Sequence, residues 1–211
     1  MSDINKPHAR PPRGGFVYEP EAVWPGEVVV HDLYKEARAK LIDREMIMSR
    51  RYDEQQWRAL RIGAHPDIIL FTRLFVAKLK KLGIPVFPSE IVRTPARQAQ
   101  LYKDGFSKAV GAKAPHPYGC AVDLVHSVHL WNLSKKQWEF FGELGKELAK
   151  QRGIAITWGG DWPPIVDKVG WDPAHWQLKE WRKIMTGFPF MPTNVGTPLH
   201  KVSKNGQDRR E

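Results

Sequence analysis

The sequence predicts a single α+β domain, and three observations lead to that class. The chain has 211 residues, enough for one well-buried core with extensions but hardly for two full domains. Hydrophobic residues make up 42% of it and nine are tryptophan, a composition that folds. Short apolar strands alternate irregularly with longer amphipathic helices, and no internal repeat sets a regular βα order.

Residues 1–27 carry Pro7, Pro11, Pro12, Pro20 and Pro25 with Gly14 and Gly15, and they show no sustained period, which predicts an extended arm. From 31 to 62, Leu33, Ala37, Leu41 and Met46 fall near helical spacing and predict one or two helices. Residues 1–60 thus read as an arm followed by a helical extension. Asp67–Lys81 is a stronger helix, with a broad apolar face from Ile68 to Leu79, ended by Gly83 and Pro85. A strand is expected over Val86–Val92. Thr94-Pro95 then opens a helix carrying Arg97, Gln98 and Leu101, because proline suits the first helical turn. Gly105–Pro115 is a loop, and Cys120–Val125 a strand entered through a Pro/Gly turn. Ser134 caps a helix that Gly153 stops. Short strands follow over Ile154–Trp158 and Trp176–Leu178, with a last helix near Glu180–Met185. Residues 187–211 dissolve into Pro, Gly, Asn and Lys and read as a flexible basic tail.

The 33 Lys and Arg exceed the 23 Asp and Glu, giving a net charge of +10. That balance favours polyanionic partners, whether nucleic acid, anionic lipid headgroups or a phosphate-rich, anionic cell envelope, and composition does not choose among them. The basic residues are scattered and no nucleic-acid motif accompanies them, so no specific nucleic acid is expected. No apolar run reaches the length of a membrane span; Arg73 breaks the best candidate, which begins at Ile68. The N-terminus lacks an apolar signal core, so synthesis in the cytoplasm is expected. A lone Cys120 excludes an internal disulfide framework and reads as a small buried residue.

The chemistry concentrates in two segments, His116-Pro-Tyr-Gly119-Cys-Ala121-Val-Asp123 and Asp172-Pro-Ala-His175-Trp176. Two histidines and a carboxylate make three protein ligands, the number a catalytic zinc keeps when its fourth position holds water. Pro117 and Gly119 predict a turn that swings His116 back over the strand bearing Asp123. Ala121, on the same strand face, leaves room for an ion. Asp172 has two readings at this point: a base acting on the water, or an ordinary helix N-cap followed by Pro173. His126 and His129 are further metal-capable residues without a partner motif.

Three separated segments resemble one family, the zinc peptidases of bacterial cell walls that include D-Ala-D-Ala carboxypeptidases and L-alanyl-D-glutamate endopeptidases. Arg93-Thr94-Pro-Ala-Arg-Gln98-Ala-Gln-Leu101-Tyr102 resembles the family's R-[ST]-x-x-x-Q-x-x-L-Y, and His116 to Asp123 resembles H-x-x-G-x-A-x-D. Trp158-Gly-Gly-Asp161-Trp162, followed by Asp172-x-x-His175-Trp176, is similar to the W-G-G-D-W and D-x-x-H-[FW] of the endopeptidase branch. The resemblance covers roughly residues 65–185. Ala114 stands where the family usually has serine. Between Trp162 and His175 two aspartates, Asp167 and Asp172, compete for the base's place; the three-residue spacing to His175 favours Asp172.

The resemblance implies a hedgehog-like fold, a small antiparallel sheet flanked by helices, with residues 61–186 as the catalytic domain. It implies one zinc ion on His116, Asp123 and His175, Asp172 as general base, and Arg93, helped by Gln98, on the substrate's carbonyl or carboxylate. The expected function is that of a monomeric, endolysin-type L-alanyl-D-glutamate endopeptidase acting on peptidoglycan stem peptides, released to the wall by a holin. Two alternatives stay open: a D-Ala-D-Ala carboxypeptidase or dipeptidase, and a non-catalytic, metal-bearing wall-binding module.

Overall fold

A computed structural model describes residues 32–185; the arm over 1–27 and the tail from 187 lie outside the described residues. A 3-10 turn, Asp32–Tyr34, leads into α1 (Lys35–Ala39), α2 (Arg44–Met48) and α3 (Arg50–Gln56). Three short helices therefore stand where one or two were expected. Asp43 and Ser49 interrupt the run, each accepting a backbone N–H with its side chain and starting a new helix.

The long helix α4 (Pro66–Lys81) begins at Pro66 and ends with Lys78, Lys80 and Lys81 in its last turn. Those cations complement the carbonyl end of the helix dipole. Strand β1 (Val86–Glu90) and helix α5 (Pro95–Lys103) follow, and the Thr94 hydroxyl caps α5 through the Arg97 N–H. Then come β2 (Ala121–His126) and α6 (Lys135–Gln151). At the start of α6, Ser134 and Gln137 form a reciprocal capping box. Strand β3 (Ile156–Trp158), β4 (His175–Leu178) and α7 (Trp181–Met185) complete the described chain.

The four strands form one sheet in the order β1-β2-β4-β3, with every neighbouring pair antiparallel. The expected α+β class with a small antiparallel sheet is what the chain adopts. Pro88 is tolerated because β1 lies at the sheet edge, where a missing N–H breaks no central ladder. Side chains on β2 and β4 alternate between two faces. Val122 and Trp176 pair on one face, and Asp123 and His175 on the other.

The face carrying Trp176 is the core. Its indole lies 5.0 Å from the Phe71 ring, 5.5 Å from that of Phe75 and 5.7 Å from Trp158. Helix α6 meets this face through Gly142 and Gly145. A Cβ at Gly142 would collide with the Trp158 ring, and one at Gly145 with the ring of Trp176. The two glycines form a shallow trough in which both indoles lie.

His126 ends β2 with its ring stacked 4.7 Å from that of His129, and neither belongs to the group formed by His116, Asp123 and His175. His126 Nε2–H donates to the Leu41 carbonyl at 3.0 Å, while Nδ1 accepts from the N–H groups of Val128 and His129, each at 3.2 Å. Both nitrogens are used by the neutral ring. Burial lowers its pKa from 6.5, with the nearby His129 adding to the effect against the Leu41 bond and Asp43.

Two outcomes are expected. Gly145→Ala adds a good helix former yet destabilises the protein by about 1–3 kcal/mol, because the methyl group has no space beside Trp176. A stabilised variant in urea unfolding would remove the trough from the account. Because the folded pKa of His126 is depressed, its contribution is present above the unfolded value of 6.5 and is lost as pH falls below it. The urea midpoint should therefore drop between pH 7.5 and 5.5, and drop less in His126→Gln.

Candidate metal centre

The register of the sheet assembles the site. Asp123 on β2 stands directly across from His175 on β4 and from Glu90 on β1. Glu90 reaches this face only because the β1–β2 register shifts between Pro88 and Glu90, leaving Ser89 as an extra residue. The Ser89 hydroxyl holds the bulge by donating to the Asp123 carbonyl at 3.2 Å.

His116 comes from a one-turn 3-10 helix, His116–Tyr118, that ends at Gly119 with φ +66°. The expected Pro/Gly turn is present, and only glycine fits it. Besides the left-handed backbone, a Cβ at Gly119 would collide with the Gly63 carbonyl oxygen. The turn is pinned by bonds from Arg93 N to the His116 carbonyl (3.2 Å) and from His65 N to the Gly119 carbonyl (2.9 Å).

His116 Nε2 lies 3.2 Å from Asp123 Oδ1 and 3.3 Å from His175 Nδ1, and His175 Nδ1 lies 2.9 Å from Asp123 Oδ1. Ligands about 2.0–2.1 Å from a tetrahedral zinc stand about 3.3 Å from one another, so this triangle has the dimensions of a zinc face. The outer hydrogen bonds fix the protons. His116 Nδ1–H donates to the Ile91 carbonyl at 2.8 Å, and His175 Nε2–H donates to Gln177 Oε1 at 3.1 Å. Both inner nitrogens then present lone pairs toward a carboxylate, an arrangement that calls for a cation. His116, Asp123 and His175 together form a group that can hold one metal ion.

A proton responds to the same attraction. Burial pushes the Asp123 carboxyl up, but His116 and His175 outweigh it and hold it well below the usual carboxylate range. Burial pulls His175 down, yet its bond to Asp123 and the charges of Asp123 and Asp172 raise it above 6.5.

Asp172 does not cap a helix. Pro173 and Ala174 form a turn into β4, with His175 N donating to the Asp172 carbonyl at 3.2 Å. A strand follows because His175 and Trp176 are drawn to opposite faces of the sheet. The Asp172 carboxyl is half-buried and its pKa is raised to about 6. Burial is the main cause and the negative charge of Asp123 the second, against His175, His116 and Arg93. Asp167 faces elsewhere: its side chain is 79% exposed and pairs with Lys135 at 3.0 Å.

Arg93, 9% exposed, is braced on several sides. Nη2 pairs with Glu90 and lies 3.3 Å from Asp123 Oδ2, and Nη1 donates to Gln98 Oε1 at 2.6 Å. Arg93 Nε is a buried donor with no hydrogen-bond partner among the described residues. Gln98 is fully buried, and its Nε2 donates to Ser107 Oγ (2.8 Å) and the Ala109 carbonyl (2.7 Å). It meets the site through Arg93 and does not open onto it, because its amide is used on both sides.

Two residues at this site escaped the sequence reading. Glu90 was hidden because a bulge is defined only by the partner strand; its three-residue spacing to Arg93 was the available signal. Trp162 packs against the site, its ring tilted 42° to that of His175 with centroids 5.1 Å apart, and entered the sequence reading only as part of a motif. Cys120 is fully buried, as expected, and burial pushes its thiol up to about 11.

No family model and no curated protein matches the chain. Among solved structures it is similar to the crystal structure of the Serratia marcescens L-Ala D-Glu endopeptidase ChiX. The identity is 28% and the TM-score 0.46, over 64% of this chain and 91% of that one. It is also similar to a zinc complex of the vancomycin resistance D,D-pentapeptidase VanY, from a VanB-type resistance cassette. There the identity is 15% and the TM-score 0.40, over 58% of this chain and 78% of that one.

Chelator competition should find one zinc per chain, lost in His116→Ala and His175→Ala and kept in Asp167→Ala. Zinc must displace the proton that the raised His175 pKa favours, while Asp123 stays ionised. Affinity is therefore full above the His175 value and falls by about tenfold per pH unit below it. A pH-independent affinity between 5 and 8 would contradict this donor set.

Proposed function

We propose that this chain is a zinc-dependent peptidoglycan peptidase of the endolysin type, hydrolysing the L-alanyl–D-glutamate bond of stem peptides. The observation that carries the proposal is the convergence of two imidazole lone pairs and one carboxylate beside a half-buried Asp172 and a braced Arg93. Spacing in the three motifs supports the same reading, and D-x-x-H-W with W-G-G-D-W favours an endopeptidase over a carboxypeptidase. Among the described residues no helix is long and apolar enough to cross a membrane.

Zinc bound at the triad supplies a Lewis acid and a water acidified toward neutrality. The remaining chemistry belongs to side chains. Asp172, as a carboxylate, takes the proton of the attacking water and returns it to the leaving amine nitrogen. Its raised pKa makes it a stronger base than an exposed aspartate. Arg93 is suited to hold the substrate's carbonyl or carboxylate oxygen through the positive charge of its guanidinium beside the triad. Glu90 and Gln98 keep the guanidinium in place.

The test is digestion of purified peptidoglycan with and without zinc, with the new termini identified by mass spectrometry. New L-Ala carboxyl and D-Glu amino termini are expected. Released D-Ala would instead mean a carboxypeptidase, and wall binding by zinc-loaded protein without any cut would mean a binding module. Asp172→Asn should lower kcat about 10²–10⁴-fold with zinc retained, while Asp167→Asn leaves a zinc-loaded, active enzyme; the reverse pattern would transfer the base to Asp167. Asp172 must be ionised to work, so kcat/KM should fall as pH drops through an acid limb. That limb lies at or below about 6, because a bound dication opposes the burial and Asp123 effects.

A further inference from the structure

Two chains of contact leave the metal triad on opposite sides and meet again. On one side Asp123 holds Arg93, Arg93 holds Gln98, and Gln98 grips Ser107 and Ala109, the two neighbours of Lys108. On the other, the His175 ring faces Trp162 at 5.1 Å, and Trp162 faces Trp171 at 5.7 Å. The circuit closes where Lys108 Nζ lies 4.2 Å from the centre of the Trp171 ring. Lys108 and Trp171 belong to different loops, one after α5 and one before β4. Their contact forms the rim of the site, two indoles away from a metal ligand.

This rim is costly unless it is used. Trp171 is 37% exposed and Trp162 is partly exposed, an apolar wall left against solvent. Lys108 is exposed, and no carboxylate pairs with it among the described residues, whereas Lys135, Lys136, Lys146 and Lys168 all have one. The charges closer to the triad, Glu90, Asp123 and Asp172, are negative apart from Arg93. Lys108 is thus an unpaired cation at a set distance from the reacting centre, held by its indole and by the bonds to its two neighbours.

The geometry points to Lys108, with Trp171 and Trp162 as its floor, as a substrate subsite for a carboxylate on the peptide residue beside the scissile bond. The inference rests on the peptidase reading and names what that site selects: an acidic peptide over its neutral amide. The indoles pack the peptide's apolar atoms and restrain the ammonium, so less side-chain freedom is lost when the ion pair forms.

The test uses the zinc-loaded full chain and two synthetic stem peptides that differ only at the glutamyl α-carboxyl, free acid in one and primary amide in the other. Binding is measured by calorimetry and turnover separately. The wild type should favour the acid about fivefold in Kd and KM, the size expected of a partly exposed, restrained ion pair. Lys108→Met should handle acid and amide alike, Lys108→Arg should keep the preference, and both should retain zinc. Trp171→Leu should weaken binding of both peptides. A preference that survives in Lys108→Met, or no preference in the wild type, overturns the subsite. Binding with the acid preference but no cleavage would instead overturn the hydrolase reading and leave the subsite standing.

Discussion

Everything at this site depends on one pairing, Asp123 against His175 across the β2–β4 ladder. A carboxylate and an imidazole lone pair 2.9 Å apart, with a second imidazole 3.2 Å from the same oxygen, make a place for a cation on that oxygen, while Arg93 stands 3.3 Å from the other. The sheet supplies the position, and the hydrogen bonds at Ile91 and Gln177 supply the protonation state. Neither alone would make a ligand set. A slip of one residue in β4 would put Trp176 beside Asp123 and turn His175 into the core.

The core face guards against that slip. The Trp176 indole is wedged among Phe71, Phe75 and Trp158 and settles in the trough of Gly142 and Gly145. Trp158 adds a directional lock by donating from Nε1 to the Pro173 carbonyl at 2.8 Å, which fixes the turn that delivers His175. The large aromatic residues therefore act on the metal ligands through the backbone between them. Packing on one face sets the precision of the chemistry on the other.

Much of this was legible in the sequence where the signal is local. Thr94-Pro95 and Ser134 mark helix starts, and Pro117 with Gly119 announces the turn at His116. The triad was readable because ligand types and spacings are themselves chemical constraints. What could not be read depends on a partner strand or a packed neighbour. The bulge at Ser89 exists only relative to β2, so Glu90 gave no sign of facing Asp123. Gln98 looked like a substrate residue because a helix surface and a buried loop contact look the same in one dimension. The competition between Asp172 and a helix cap was decided by the strand that follows, which β2 pulls into register.

The left-handed turn at Gly119 has one more consequence. Its carbonyl accepts the His65 N–H directly before α4, and its α-carbon rests against the Gly63 carbonyl. The first metal ligand is thereby tied to the start of the longest core-facing helix of the α1–α4 region, far away in sequence. Any ion that binds only this folded arrangement lends its binding free energy to that junction, by RT ln(1 + [ion]/Kd). Zinc availability then becomes a determinant of how long the native chain survives, and a falling metal concentration would be felt as fragility of the fold while the site is still largely occupied.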